Sequence, residues 1–117
     1  MRISKPIFYF FLPLLLFSCS HKALVIPKDV LQPEQMRSIL KEIHLAQSAI
    51  AVATISDSSK YTITEYEAFI FEKNKTTQIH FTKSMAFYSA HPEVLQPIYD
   101  SVLVDLNKLQ SETQSKK

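Results

Sequence analysis

The sequence predicts an all-α fold, a small bundle of three to four helices, and three observations predict it. Apolar residues recur at intervals of three and four in successive segments, the spacing that lines up one face of a helix. The chain contains no glycine, where average usage at this length would place about eight. Tight hairpins, Gly-rich phosphate loops and nucleophile elbows use glycine for positive φ or close backbone approach, so those classes are excluded. Between the segments stand helix starts and stops: proline at first-turn positions and threonine where a helix needs a cap.

The first helix is predicted over residues 33–55. Pro33 fits the opening position, where its missing N–H costs nothing, and Glu34 complements the positive end of the helix dipole. Met36, Ile39, Leu40, Ile43, Ala46, Ile50 and Ala53 form its apolar stripe. Leu45, Ala49 and Val52 add a second stripe in the later half, which is therefore expected to be the better buried. A polar loop follows at Ser56-Asp57-Ser58-Ser59-Lys60.

Thr62-Ile63-Thr64-Glu65 fits a capping box and marks the second helix, whose predicted inner face is Ile63, Tyr66, Phe69 and Ile70. It is expected to end near Asn74, the residue that best replaces glycine in a left-handed cap. Thr76 and Thr77 cap a third helix presenting Phe81, Met85 and Tyr88, which stops before His91-Pro92 because the residue preceding proline is pushed out of the helical region. The second and third helices are expected to pair as a hairpin. Pro92 opens a fourth helix with Leu95, Ile98, Tyr99, Val102, Leu106 and Leu109 on its stripe. Pro97 is expected to kink it or shorten its first turn. The predicted core is Ile43, Ile50, Phe69, Phe81, Tyr88, Tyr99 and Leu106.

Ahead of the helices, Arg2 and Lys5 precede an apolar run over residues 7–17, interrupted once by Pro13. At about 1.5 Å per residue it reaches roughly 16 Å against about 30 Å of hydrocarbon, which suits a secretory signal peptide better than a membrane span. Leu16-Phe17-Ser18-Cys19 looks like a bacterial lipobox, with Cys19 the sole cysteine. The expected organisation is a cleaved lipoprotein signal peptide at 1–18, a lipidated tether at 19–32 attached through Cys19, whose apolar patch Leu24-Val25-Ile26 either docks on the domain or hangs free, a helical domain at 33–110 and a disordered tail at 111–117. Ser20 and the non-acidic His21-Lys22 point to the outer membrane, facing the periplasm.

Two of the 13 basic residues, Arg2 and Lys5, fall in the leader, so the remainder balance the 11 acidic ones. Lacking a basic stripe, the chain is not expected to bind nucleic acid. With its one cysteine committed to lipid, the domain has no disulfide to draw on and depends on packing. His21, His44, His80 and His91 show no i, i+4 pairing that would place two metal ligands on one helix face. No serine or threonine has a base and oxyanion hole nominated by its surroundings. The sequence therefore predicts no catalytic residues, no metal, no cofactor and no small-molecule substrate.

Taken in order, several pieces resemble a family of small Bacteroidota lipoproteins known as domain of unknown function 4296. They are Ile26-Pro27, Ile39-Leu40, Glu42-Ile43-His44-Leu45-Ala46, Tyr66, Phe81 with Ser84, Phe87-Tyr88, His91-Pro92-Glu93 and Ile98-Tyr99. The chain departs from the family in carrying His91 where Asn is usual, and in carrying Pro97. The resemblance implies a helical, envelope-located protein and brings no established catalytic residues. The expected role is a membrane-anchored, non-enzymatic binding or adaptor module for an envelope protein in outer-membrane assembly or transport. The alternative is a periplasmic chaperone-like factor.

Overall fold

A computed structural model describes residues 23–55 and 62–117. The predicted signal peptide, Cys19 and the polar loop at 56–60 lie outside the described residues. Four helices are present: α1 Pro33–Ile55, α2 Ile63–Lys73, α3 Gln78–Ser89 and α4 Pro92–Ser115. There is no strand among the described residues, and the fold is the small all-α bundle that the sequence predicts. None of the described helices is long and apolar enough to cross a membrane.

The helix ends follow local chemistry. Pro33 begins α1, and the Gln35 side chain reaches back to accept from the Gln32 N–H at 3.2 Å, satisfying a donor that the helix ladder cannot. At α2 the capping box forms in both directions: Glu65 N–H donates to Thr62 Oγ1 at 3.4 Å, and Thr62 N–H donates to Glu65 Oε2 at 2.7 Å. The Thr62 backbone bond holds the Glu65 carboxyl below its ordinary range. Thr77 caps α3 by accepting from the His80 N–H at 3.2 Å.

The end of α2 differs from expectation. Asn74 has φ −86°, and the left-handed residue is Lys75, at φ 53°. Thr76 N–H reaches the Phe71 carbonyl and Lys75 N–H the Glu72 carbonyl, the two bonds of a Schellman stop. Asn74 is drawn instead into a junction between helices. Its Nδ2 donates to Ile70 O at 2.8 Å and to Glu42 Oε2 at 3.3 Å, while its Oδ1 accepts from Ser38 Oγ at 3.2 Å.

Helix α1 is the hub, packed against both α2 and α4, with α3 packed on α4. The pairs Ser38–Asn74 and Glu42–Lys73 run in opposite sequence sense, so α1 and α2 form an antiparallel hairpin. The expected hairpin of α2 with α3 is therefore corrected: their contact is slight and includes the Phe71 and Phe81 rings, 5.3 Å apart. The helices contribute Met36, Ile39, Leu40, Ile43 and Ala46 of α1, Ile70 and Phe71 of α2, Tyr88 of α3, and Ile98 and Val102 of α4 to the core.

Of the predicted core, Ile43 and Tyr88 are buried. Phe81, Tyr99 and Leu106 are partly buried and pack against it. Ile50 is only partly buried, and Phe69 is 63% exposed. At about 100° per residue, Phe69 lies about 150° around α2 from the midpoint of Ile70 and Phe71, the face that α1 covers. The expectation for α1 is reversed as well: its first half is buried, and Leu45, Ala49 and Val52 of the later half are exposed. Asp105 and Tyr99 of α4 meet α1 at Arg37 and His44, so α4 covers the first half and leaves the second to α2.

Helix α4 runs through Pro97 unbroken and continues to Ser115, past the predicted boundary at residue 110, with every residue from 107 onward exposed. Arg37 fastens α4 to α1 through a two-pronged pairing with Asp105, Nε to Oδ2 at 2.9 Å and Nη2 to Oδ1 at 2.7 Å. The guanidinium's hydrogen bonds hold the Asp105 carboxyl below its usual 3.8. A carboxylate whose pKa is lowered on folding stabilises the native state above its unfolded pKa, and that contribution disappears as pH falls through the lowered folded value. Asp105→Asn is therefore expected to lower the thermal midpoint at pH 7 and to converge with the parent chain once the pH falls below the lowered Asp105 pKa. A gap that persists unchanged in acid would show that the carboxylate charge is not what holds the helices.

Candidate partner-binding surface

Three histidines are engaged within the domain. The His44 ring lies 6.5 Å from that of Tyr99. His91 bonds the Phe87 carbonyl through Nδ1 at 2.8 Å and lies 4.5 Å from the Phe87 ring. It occupies the N-cap of α4 but makes no side-chain cap bond there, so it finishes α3 where an Asn would begin α4. His21 lies outside the described residues. Among the described residues no group of three His, Cys, Asp or Glu is placed to share a metal ion.

Open grooves mark the surface of the described residues, and two of them lie between helices. One of about 370 Å³ lies between α2 and the start of α3, lined by Glu67, Phe71 and Thr76 among others. The other, about 350 Å³, lies between the starts of α1 and α4, beside Arg37, Pro97 and Ser101. Neither is lined by histidine or cysteine.

The larger feature is apolar. Leu45, Ala49 and Val52 recur at i, i+4 and i+7 and share one face of α1, with Leu45 41% and Val52 69% exposed. One turn along the antiparallel hairpin from the Glu42–Lys73 pair, Phe69 is exposed on the side of α2 turned away from α1. Scattered exposed apolar side chains are ordinary, but a row of three at helical spacing on one face stands apart from that scatter.

At the opposite end, the segment before α1 is built into the fold. Val30 and Leu31, placed in a tether by the sequence reading, belong to the core. Leu31 is held at both backbone groups: its N–H donates to Ser84 Oγ at 2.9 Å and its carbonyl accepts from Tyr88 Oη at 2.7 Å. The buried Ser84 hydroxyl in turn donates to His80 O at 2.8 Å. Below them His80 Nε2 donates to the Asp29 carbonyl at 3.1 Å, which leaves Nδ1 to accept from Thr76 Oγ1 at 3.2 Å. Lys83 pairs with the Asp29 carboxylate and, through that hydrogen bond, holds it below its ordinary range. The signal in the sequence was Ser84 and Tyr88 at i, i+4 on one face of α3.

The domain of unknown function family DUF4296 matches residues 27–112 of the chain. The chain belongs to the DUF4296 family. Neither a curated protein nor a solved structure matches it. In this DUF4296 chain the match takes in Asp29, Val30 and Leu31 together with the α3 residues that hold them. The docked segment is thus part of the family domain and not a linker to it. The same match covers the exposed row from Leu45 to Val52 and extends nearly to the end of α4.

Proposed function

We propose that this DUF4296 protein is a lipoprotein anchored through Cys19 in the outer membrane, facing the periplasm. It serves there as a non-enzymatic adaptor in outer-membrane assembly or transport, holding an envelope protein on the apolar row of the α1–α2 hairpin. The observation that carries this reading is the exposed Leu45, Ala49 and Val52 face of α1. Ser38 adjoins the α2–α3 turn through Asn74, and Val52 is about 21 Å further along α1 at about 1.5 Å per residue. An anchor at one end and an apolar face at the other favour a partner confined to the same membrane, because anchoring raises its local concentration.

The anchor has its own test. Acyl chains hold by about 0.8 kcal/mol per buried CH₂, and two suffice for stable attachment. Labelled palmitate is expected to enter the protein and to be lost in Cys19→Ser; equal labelling of that variant would remove Cys19 as the attachment point. For the adaptor role, a photo-crosslinking residue at Val52 in intact cells is expected to trap one or a few envelope proteins. A stable barrel or lipoprotein partner supports the adaptor, whereas brief capture of many unfolded chains supports a chaperone-like factor instead.

A further inference from the structure

The docked segment decides how far the domain stands from its anchor. Ile26 already packs against the core, so the chain between Cys19 and Ile26 spans at most about 25 Å at about 3.5 Å per residue. A tether continuing to the start of α1 at Pro33 would have doubled that reach. The end of the domain bearing residues 23–31 is therefore kept near the anchoring surface.

That end has an unusual composition. Val25 is 85% exposed and Ile79 83% exposed, the two most exposed large aliphatic residues described. Along the extended segment Ile26 turns inward and Val25 outward. Ile79 adjoins His80, whose ring bonds the Asp29 carbonyl, so the start of α3 and the docked segment share one end of the molecule. Lys28 and Lys75 are exposed there without an ion-pair partner among the described residues, while the neighbouring Asp29 pairs with Lys83. Two outward aliphatics beside two such lysines match a bilayer interface, where apolar side chains enter the acyl boundary and lysines meet anionic headgroups.

We propose that this end, with Val25 and Ile79 at its tip and Lys28 and Lys75 beside them, rests on the lipid surface and turns the α1–α2 hairpin away from it. The inference rests on the anchor proposed above, because only a short lipidated tether keeps this end at a membrane. It deepens that reading by giving the domain an orientation: the docked segment faces lipid, and the Leu45 to Val52 row faces the periplasm.

The chain has no tryptophan, so single reporters are clean. Val25→Trp, Ile79→Trp and, as the distal control, Val52→Trp would be isolated from membranes as mature protein, with the mass reporting acylation. Each would be placed in vesicles of phosphatidylethanolamine and phosphatidylglycerol containing brominated lipid as quencher. All three positions are exposed, and circular dichroism confirms that each variant keeps its helix. Blue-shifted emission and loss of fluorescence are expected at residues 25 and 79, with residue 52 unaffected. An acylated chain with no quenching at 25 and 79, or with equal quenching at all three, overturns the orientation and leaves the anchor standing. A mass without acyl chains overturns the anchor, and the orientation with it.

Discussion

Replacing Tyr88 with alanine is expected to remove much of the domain's stability, the largest loss from any single substitution considered. The ring has no exposed surface and packs edge-on against Phe87, with centroids 5.4 Å apart. Truncating a buried aromatic to alanine costs about 3 to 5 kcal/mol. The hydroxyl adds a second loss, because the Leu31 carbonyl would keep its burial and lose its donor, at about 1 to 3 kcal/mol. Domains of this size have about 5 to 14 kcal/mol in total, so the variant is expected to be unfolded or nearly so at 37 °C.

Tyr88→Phe separates the two effects. It keeps the ring, and urea unfolding is expected to show a loss of about 1 to 3 kcal/mol with segment 23–31 newly open to protease. Burial pushes the Tyr88 phenol pKa up, so its proton is in place to donate throughout the neutral range. An unchanged midpoint in Tyr88→Phe would mean that the docked segment is held by Ser84 and apolar packing alone. Ser84 and Tyr88 grip the same residue, so their substitutions are not expected to add.

Pro97→Ala is expected to stabilise the protein by about 2 kcal/mol, an uncommon direction for a single substitution. Proline within a helix is about 3 kcal/mol less favourable than alanine, and its ring here leaves the Glu93 carbonyl without the i+4 donor. Alanine frees the unfolded chain by about 0.4 to 1 kcal/mol, which offsets part of the gain. Pro97 is exposed, so removing its ring opens no core cavity. A higher urea midpoint with unchanged slope would confirm the gain. No gain would show that another group already serves the Glu93 carbonyl.

The helices and their punctuation were legible because both are local. Thr62 and Glu65 form their box from residues three apart, Pro33 and Pro92 open their helices, and the stripes of α1 and α4 contain Met36, Ile39, Ile43, Ile98 and Val102 as buried residues. Phe69 was misplaced because a wide apolar face on a short helix has more than one possible centre, and contact with α1 selected Ile70 and Phe71. Lys75 took the left-handed position because Asn74 had a better use, bonding Ser38 and Glu42 across the hairpin. The candidate surface was half legible. Leu45, Ala49 and Val52 stood out as a stripe, yet periodicity reports the angle around a helix and not whether another element covers it.

By itself, the sequence determined that this chain is helical, where its four helices begin, and that it has no glycine to place in a turn. Those properties follow from spacing within a turn or two and from composition. Tertiary structure alone decided which half of α1 is buried, that Val30 and Leu31 join the core, and that Ile26 packs against it. Each depends on groups brought together from distant positions, as when Leu31 finds Ser84 and Tyr88 more than fifty residues away. A buried backbone N–H and carbonyl must be satisfied by something, but which side chains arrive to do it is settled only when the helices pack.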